Sequence, residues 1–182
     1  MSRLKRRYKL AMERLPVVRG FSLVELIIVI IVLGILAALA IPYFSEATQE
    51  AMESALKTNL AAVRAAIDRY ARDHGDKLPG VKSDSGGGQT DATTAPVALV
   101  RQLTLYTKGS GQVATTKGNP FSYGPYLSHF PENPLAKVTD KASVAVTEDA
   151  GTLTADASPT TAWKYSKETG KIIANVTAYQ TW

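Results

Sequence analysis

The sequence predicts an α+β fold, in which a long N-terminal helix, first transmembrane and then amphipathic, packs on a small C-terminal antiparallel sheet. Residues 21–44 are almost wholly apolar, residues 56–70 carry an apolar stripe at helical spacing, and strand-like segments appear only after residue 141. A helix laid across one sheet is a stable two-layer arrangement. The predicted parts are a basic leader over 1–20, a transmembrane helix over 21–44, an amphipathic continuation over 45–78 and a globular head over 79–182.

The positive charge of the chain is concentrated in the leader. Residues 1–20 contain seven Lys or Arg residues and one Glu, a net charge of +6, so that the rest of the chain carries −1 of the +5 total. Binding to a phosphate backbone needs clustered cations in the folded part. This distribution excludes nucleic acid as a partner. The chain also has no cysteine, which excludes disulfides, thiolate metal sites and cysteine nucleophiles.

The apolar segment 21–44 is long enough to cross a membrane. A helix over these residues is about 36 Å long, against about 30 Å for the hydrocarbon core. The alternative, a buried core helix, is disfavoured because the soluble part is too small to surround a helix that is apolar on every side. Seven cations precede the segment and acids follow it. The positive-inside rule therefore predicts a single pass through the inner membrane, with a cytoplasmic N-terminus and an extracytoplasmic head.

Glu25 is the one charged residue of this segment. A carboxylate inside hydrocarbon costs about 2.5 to 3.5 kcal/mol on insertion scales. A passive anchor gains nothing from it, although a position near the interface leaves it partly hydrated or protonated. The basic leader meets the apolar segment at Gly20 and Phe21, and cleavage there would free an amine four residues before Glu25. We expect this amine and Glu25 to pair, within one chain or between chains.

The residues Gly20, Phe21 and Glu25, with Ser22, Leu23 and Val24 between them, resemble the processing motif of type IV prepilins and type II secretion pseudopilins. The resemblance extends over roughly residues 14 to 74 and implies a pilin-like fold. It also implies that a membrane prepilin peptidase cuts after Gly20 and methylates the Phe21 amine, and that Glu25 guides assembly. Gly34 and Pro42 weaken a helix, and the matching segment unwinds in filaments of the family, so both are candidates for helix melting.

The helical pattern continues beyond the membrane segment to about His74. One apolar stripe is formed by Leu56, Leu60, Val63, Ile67 and Tyr70, at the spacing of an amphipathic helix. This stripe predicts a partner surface in the head. Two charge pairs at i,i+4 spacing, Glu53 with Lys57 and Asp68 with Arg72, are expected to support the helix.

The head is predicted to be a small sheet with turn-rich loops. A flexible loop is expected over 83–94, a short helix or apolar turn over 96–106 and an ordered loop over 119–135. Strand signals fall at 142–147, 152–155, 162–165 and 171–176. The last two predict a hairpin with residues 166–170 as its turn. Along this hairpin, polar or smaller residues alternate with Trp163, Tyr165, Ile172 and Ala174.

The head shows no catalytic or metal-binding pattern. His74 and His129 are far apart in the sequence and are expected to be surface or turn histidines. The late acids Asp140, Glu148, Asp149 and Asp156 match no calcium loop spacing and are expected to be solvated. We therefore predict no enzyme, no cofactor, no metal site and no catalytic residue.

Together these features predict a structural subunit of a pilus-like filament, most specifically a pseudopilin of a type II secretion system. The helix exit at Tyr70 to Pro79 resembles that of G-type pseudopilins, and the cysteine pairs of many true pili are missing. The implied partners are further copies of the chain, other pilin-like subunits, prepilin peptidase, an inner-membrane assembly platform and membrane lipid. The filament would be periplasmic or on the cell surface. The alternative is a membrane-anchored binding or enzymatic domain that uses the helix only as an anchor.

Overall fold

The computed structural model describes residues 20–86, 88–91 and 93–182, so that residues 1–19 of the predicted leader lie outside the described part. The chain divides into two compact units that meet in sequence at Glu46 and Ala47. The described residues form two α-helices, α1 (Leu23–Asp73) and α2 (Ala95–Thr104). They also form five strands, β1 (Tyr106–Thr107), β2 (Val113–Ala114), β3 (Val144–Thr147), β4 (Trp163–Ser166) and β5 (Ile172–Ala174), and a 3-10 turn (Thr177–Tyr179).

The first unit contains the N-terminal half of α1. Its large apolar side chains from Phe21 to Leu39 are all exposed, by between 42% and 81% of their surface. Among the described residues, α1 is the one helix long and apolar enough to cross a membrane. Apolar groups cover this half of the helix on every side, so its natural surroundings are lipid or other apolar helices.

The second unit has its core on the C-terminal half of α1. The predicted stripe is confirmed, because Leu56, Leu60, Val63, Ile67 and Tyr70 are each at most 2% exposed. They pack in one cluster with side chains of α2 and of the sheet, chiefly Leu99, Leu103, Trp163, Tyr165 and Ile172. The predicted short helix at 96–106 is present as α2.

The fold class α+β is confirmed, with one difference in the sheet. Strands β4 and β5 form the predicted antiparallel hairpin, with Trp163 opposite Ala174 and Tyr165 opposite Ile172. Strand β3 pairs parallel to β4, so this three-stranded sheet is mixed rather than purely antiparallel. The connection between them, over residues 148–162, is long enough for the crossover that a parallel pair requires. The strand predicted at 152–155 is wrong, since those residues belong to this connection.

The turn of the hairpin has the predicted position. Gly170 N–H donates to the Ser166 carbonyl at 2.9 Å, which closes the turn between β4 and β5. Gly170 has φ of +70°, and a Cβ there would lie 2.8 Å from Leu78 Cδ2. Both the backbone conformation and the contact with Leu78 therefore require glycine at this position.

Buried polar groups attach the segment after α1 to α2 and the sheet. The Gln102 amide is fully buried; it accepts from Gly80 N–H at 2.8 Å and donates to the carbonyls of Lys82 and Gly111, each at 2.8 Å. The Tyr165 hydroxyl donates to the Pro79 carbonyl at 3.0 Å. These bonds satisfy backbone groups that burial would otherwise leave without partners.

Candidate processing and assembly site

The predicted cleavage junction lies just before α1. Gly20, Phe21 and Ser22 are non-helical and exposed, and α1 begins at Leu23. Ser22 marks the helix start, because its carbonyl accepts from Leu26 N–H at 3.1 Å. Phe21 is 81% exposed, and a Cβ on Gly20 would meet no atom within 4 Å. The Gly20–Phe21 peptide bond is thus outside regular structure and accessible.

Glu25 lies in the first turn of α1. Its side chain is exposed, surrounded in sequence by the apolar residues of the first unit. The unpaired N–H groups of a helix N-terminus carry partial positive charge, which favours a carboxylate in the first turn. The structure therefore brings the junction and the acid together at one helix end.

Gly34 and Pro42 both lie within α1 as the structure has it. A Cβ on Gly34 would find no atom within 4 Å, so the glycine is not required there by a neighbouring group. Pro42 provides no backbone N–H for the helix. Melting of the helix at these two residues stays a prediction.

The end of α1 holds a buried histidine. His74, expected at the surface or in a turn, lies in the turn after the helix and is only 4% exposed. Its ring stacks on Tyr70 with centroids 3.8 Å apart, and Nδ1 is 2.8 Å from the Tyr70 carbonyl oxygen. A carbonyl only accepts, so Nδ1 carries the proton of this bond. Burial lowers the pKa of His74 below its ordinary value of 6.5.

The late acids do not converge on a metal site in the described part of the chain. Asp156 forms an ion pair with Lys164 at 2.6 Å and accepts from Asn175 Nδ2 at 2.9 Å. The pKa of Asp156 is lowered, mainly by the hydrogen bond from Lys164 and to a smaller extent by the hydrogen bond from Asn175. Glu148 pairs with the buried Lys167 at 2.7 Å. The side chain of Glu148 is 74% exposed and that of Asp156 39% exposed, so both acids are solvated as expected, and each one also attaches the long connection to β4 or its turn.

The final residues of the chain contact α1, which was not predicted. The Tyr179 hydroxyl donates to Glu53 Oε1 at 2.9 Å, and Lys57 Nζ lies 4.3 Å from the centroid of the Trp182 ring. Glu53 and Lys57 thus have these aromatic partners, where an ion pair between the two was predicted. The only signal in the sequence was that two large aromatic residues, Tyr179 and Trp182, lie close together near the end of the given sequence.

The fold and the N-terminal site define a protein with one apolar, membrane-anchoring helix and a small α+β head. Residues 16–41, which include Gly20, Phe21 and Glu25, match the family described as prokaryotic N-terminal methylation motif. The type IV major alpha-pilin of Moraxella bovis is 30% identical over 112 residues, 56% of this chain and 69% of the pilin. The type II secretion system core protein G of Pseudomonas aeruginosa is 38% identical over 55 residues, 30% of this chain.

A second core protein G, from Dickeya chrysanthemi, is 27% identical over 119 residues, 59% of this chain and 77% of the relative. The matched segment spans only 39% of the Pseudomonas protein. No solved structure matches the chain significantly. The chain belongs to the type IV pilin-like family, which contains type IV pilins and type II secretion pseudopilins. Members of this family are structural subunits, so the prediction that the chain is not an enzyme is confirmed.

Proposed function

We propose that the chain is a subunit of a pilus-like filament, namely a pseudopilin of a type II secretion system. Prepilin peptidase cuts after Gly20 and methylates the new amine of Phe21. The subunit waits in the inner membrane with its head outside the cytoplasm, and an assembly platform then adds it to a periplasmic or cell-surface filament. The observation that carries the proposal is one acid in the first turn of an exposed apolar helix, directly after an accessible Gly-Phe junction.

Glu25 acts in this proposal as the residue that sets subunit register. The apolar half of α1 has no cover within its own unit, so in a filament it packs against the same half of other copies. A carboxylate in such surroundings is stabilised by a nearby cation, and the free amine of Phe21 is the cation that processing creates there. Pairing between copies then fixes the axial position of one helix against the next, since a shift would leave both charges without partners.

Two relatives named as secretion core protein G support the pseudopilin assignment. The lack of cysteine agrees with it, because disulfides staple the heads of many true pili. A surface type IV pilus is the second candidate, on the strength of the alignment that covers 69% of the Moraxella pilin. Surface filaments seen by electron microscopy, with unchanged protein secretion in a deletion strain, would favour the second candidate.

Mass spectrometry of the purified protein tests the processing step. We expect a mature chain that begins at Phe21 and carries one added methyl group. An intact Met1 terminus, or a cut after the apolar segment, would contradict the proposal.

Substitution of Glu25 tests the assembly step. We expect Glu25→Ala to abolish filament formation and filament-dependent secretion, while the protein is still inserted and its head still folds. Glu168→Ala is the matched control, because Glu168 is an exposed acid of the hairpin turn. If Glu25→Ala assembles as well as this control, Glu25 does not set subunit register and its proposed role in assembly is wrong. If neither protein forms filaments, the alternative of a tethered binding or enzymatic domain gains support.

A further inference from the structure

His74 carries a buried ring nitrogen that has no hydrogen-bond partner. The side chain is 4% exposed, and its Nδ1 donates to the Tyr70 carbonyl oxygen at 2.8 Å. The neutral ring therefore has its lone pair on Nε2. Within the described residues, Nε2 is buried and accepts no hydrogen bond. Protonation would add a charge and an N–H donor at this atom, and both cost free energy at a buried position without an aligned acceptor.

Three tyrosine rings surround the His74 imidazole. Tyr70 stacks on it with centroids 3.8 Å apart, and the centroids of Tyr123 and Tyr126 lie at 5.3 Å and 6.4 Å. Tyr70 and Tyr126 are themselves buried, at 2% and 9% exposed, whereas Tyr123 is 37% exposed. Tyr123 is therefore the part of this cover that borders the solvent. Moving it would bring water to His74 without disturbing the core.

Tyr123 belongs to a loop, residues 115–124, that is weakly attached to the head. None of the loop residues is buried. Among the described residues, two hydrogen bonds join the loop to the rest of the chain: Thr107 N–H donates to the Tyr123 carbonyl at 2.9 Å, and Tyr123 N–H donates to the Thr107 carbonyl at 3.1 Å. Lys108 Nζ also lies 5.8 Å from the centroid of the Phe121 ring. A segment with so few buried contacts opens at a lower free energy than the core.

The charged groups around His74 do not offset its burial. Asp73, its neighbour on α1, favours the protonated ring, and Lys77 opposes it. From the facing segment, the main chain of Lys108 also favours the protonated ring. The Asp73 carboxylate already accepts a hydrogen bond from the Tyr126 hydroxyl at 2.9 Å. Burial is the largest of these influences, so the pKa of His74 lies below 6.5 while the loop is closed.

We propose that His74 is a pH-sensitive switch, and that its protonation opens the 115–124 loop while the rest of the head stays folded. In the closed form the neutral ring packs against Tyr123. In the open form the loop moves away with Tyr123, and the imidazolium reaches water. The surface of the head therefore changes in mild acid, because the loop and the tyrosine cluster beneath it become accessible together. The switch needs neither processing nor assembly, so its test does not depend on the proposed function.

Hydrogen exchange of the full chain in detergent tests the opening. The amides of Thr107 and Tyr123 make the two hydrogen bonds that the opening breaks. The open form binds the proton more tightly, so its population rises as pH falls below about 6.5, by up to about tenfold between pH 7.5 and pH 5.5. We therefore expect exchange at both amides, corrected for the intrinsic rate, to increase by about threefold to tenfold. The increase should be absent from His74→Phe and present in the control His129→Phe.

Low concentrations of urea separate a local opening from unfolding of the head. A local opening exposes little surface, so exchange at Thr107 and Tyr123 should be almost independent of urea. Exchange of the Asn175 amide, which donates to the Ala162 carbonyl beside the sheet, should accelerate with urea. If all three amides exchange at one rate with one urea dependence, protonation unfolds the whole head and the proposal is wrong. It is also wrong if the acceleration at pH 5.5 persists in His74→Phe.

Removal of the Tyr123 ring tests the cover of His74 directly. In an NMR titration of the His74 imidazole, we expect a pKa below 6.5 in the original chain and a value closer to 6.5 in Tyr123→Ala, because water then reaches the ring. Phe121→Ala is the matched control, since it removes a ring of the same loop that lies against Lys108 instead of His74, and it should leave this pKa unchanged. An equal pKa in the original chain and in Tyr123→Ala would overturn the proposal, because Tyr123 would then not shield His74.

Discussion

The two halves of helix α1 differ in what covers them. From Phe21 to Leu39 the large apolar side chains are exposed, whereas from Leu56 to Tyr70 the apolar stripe is buried against α2 and the sheet. The first half is apolar on all sides and the second on one side only. A helix that is apolar on every side can be covered only by lipid or by other apolar helices from outside its own unit. A helix with one apolar stripe can bury that stripe against its own head. The second half therefore holds the head together, and the first half is the part to which the proposed function gives assembly.

The largest expected difference between the halves comes from matched leucine truncations. Leu60→Ala should destabilise the head by about 2 to 5 kcal/mol, because Leu60 is 2% exposed and its loss leaves a cavity. Leu33→Ala, in the exposed half, should change the unfolding free energy by less than about 0.5 kcal/mol. Urea titration of the full chain in detergent, followed by tryptophan fluorescence, measures both. If both substitutions lowered the free energy of unfolding by the same amount, the two halves of α1 would not differ in their contribution to folding.

Substitutions of one glycine in the head and one in the exposed half of α1 are expected to give a smaller difference in the free energy of unfolding. Gly124 has φ of +70°, and a Cβ there would lie 2.8 Å from the Leu105 carbonyl oxygen. Gly124→Ala should therefore cost the head about 1 to 3 kcal/mol. Gly34→Ala is the counterpart in the exposed half, where a Cβ meets nothing within 4 Å, and it should leave head unfolding unchanged. The same urea titration measures the unfolding free energy of both variants. If Gly124→Ala does not lower it, the loop around residue 124 can change its backbone conformation to accommodate the added methyl group.

The smallest expected effect is a pH dependence confined to the head. Burial lowers the pKa of His74 below 6.5, so the unfolded chain binds this proton more readily than the folded one. The stability of the head should therefore fall as pH drops below about 6.5 and stop falling below the folded pKa. Asp73 favours the protonated ring and Lys77 opposes it. His74→Phe should remove this part of the pH dependence, and His129→Phe, at an exposed histidine, should leave it in place. Urea midpoints at pH 7.5 and 5.5 provide the measurement.

Prediction from sequence worked where the signal was local and periodic. The stripe from Leu56 to Tyr70 and the hairpin around residues 166–170 each depend on spacings within a few residues, and both were located correctly. The apolar segment and the methylation motif at Gly20 were recognisable for the same reason, because a long apolar run and one isolated acid stand out from any neighbouring pattern. The strand predicted at 152–155 failed, since short alternation of Thr with apolar residues does not distinguish a strand from an extended connection.

The sequence by itself determined the apolar membrane segment and the apolar stripe in the second half of α1. It also determined the terminal hairpin and the position of Glu25 after Gly20. Only the tertiary structure decided that β3 runs parallel to β4, that Asp156 pairs with Lys164, and that Tyr179 and Trp182 contact α1. The physical reason is separation along the chain. Periodicity reports which face of an element is apolar, whereas pairs of distant residues are chosen by loop closure and by packing of the whole head.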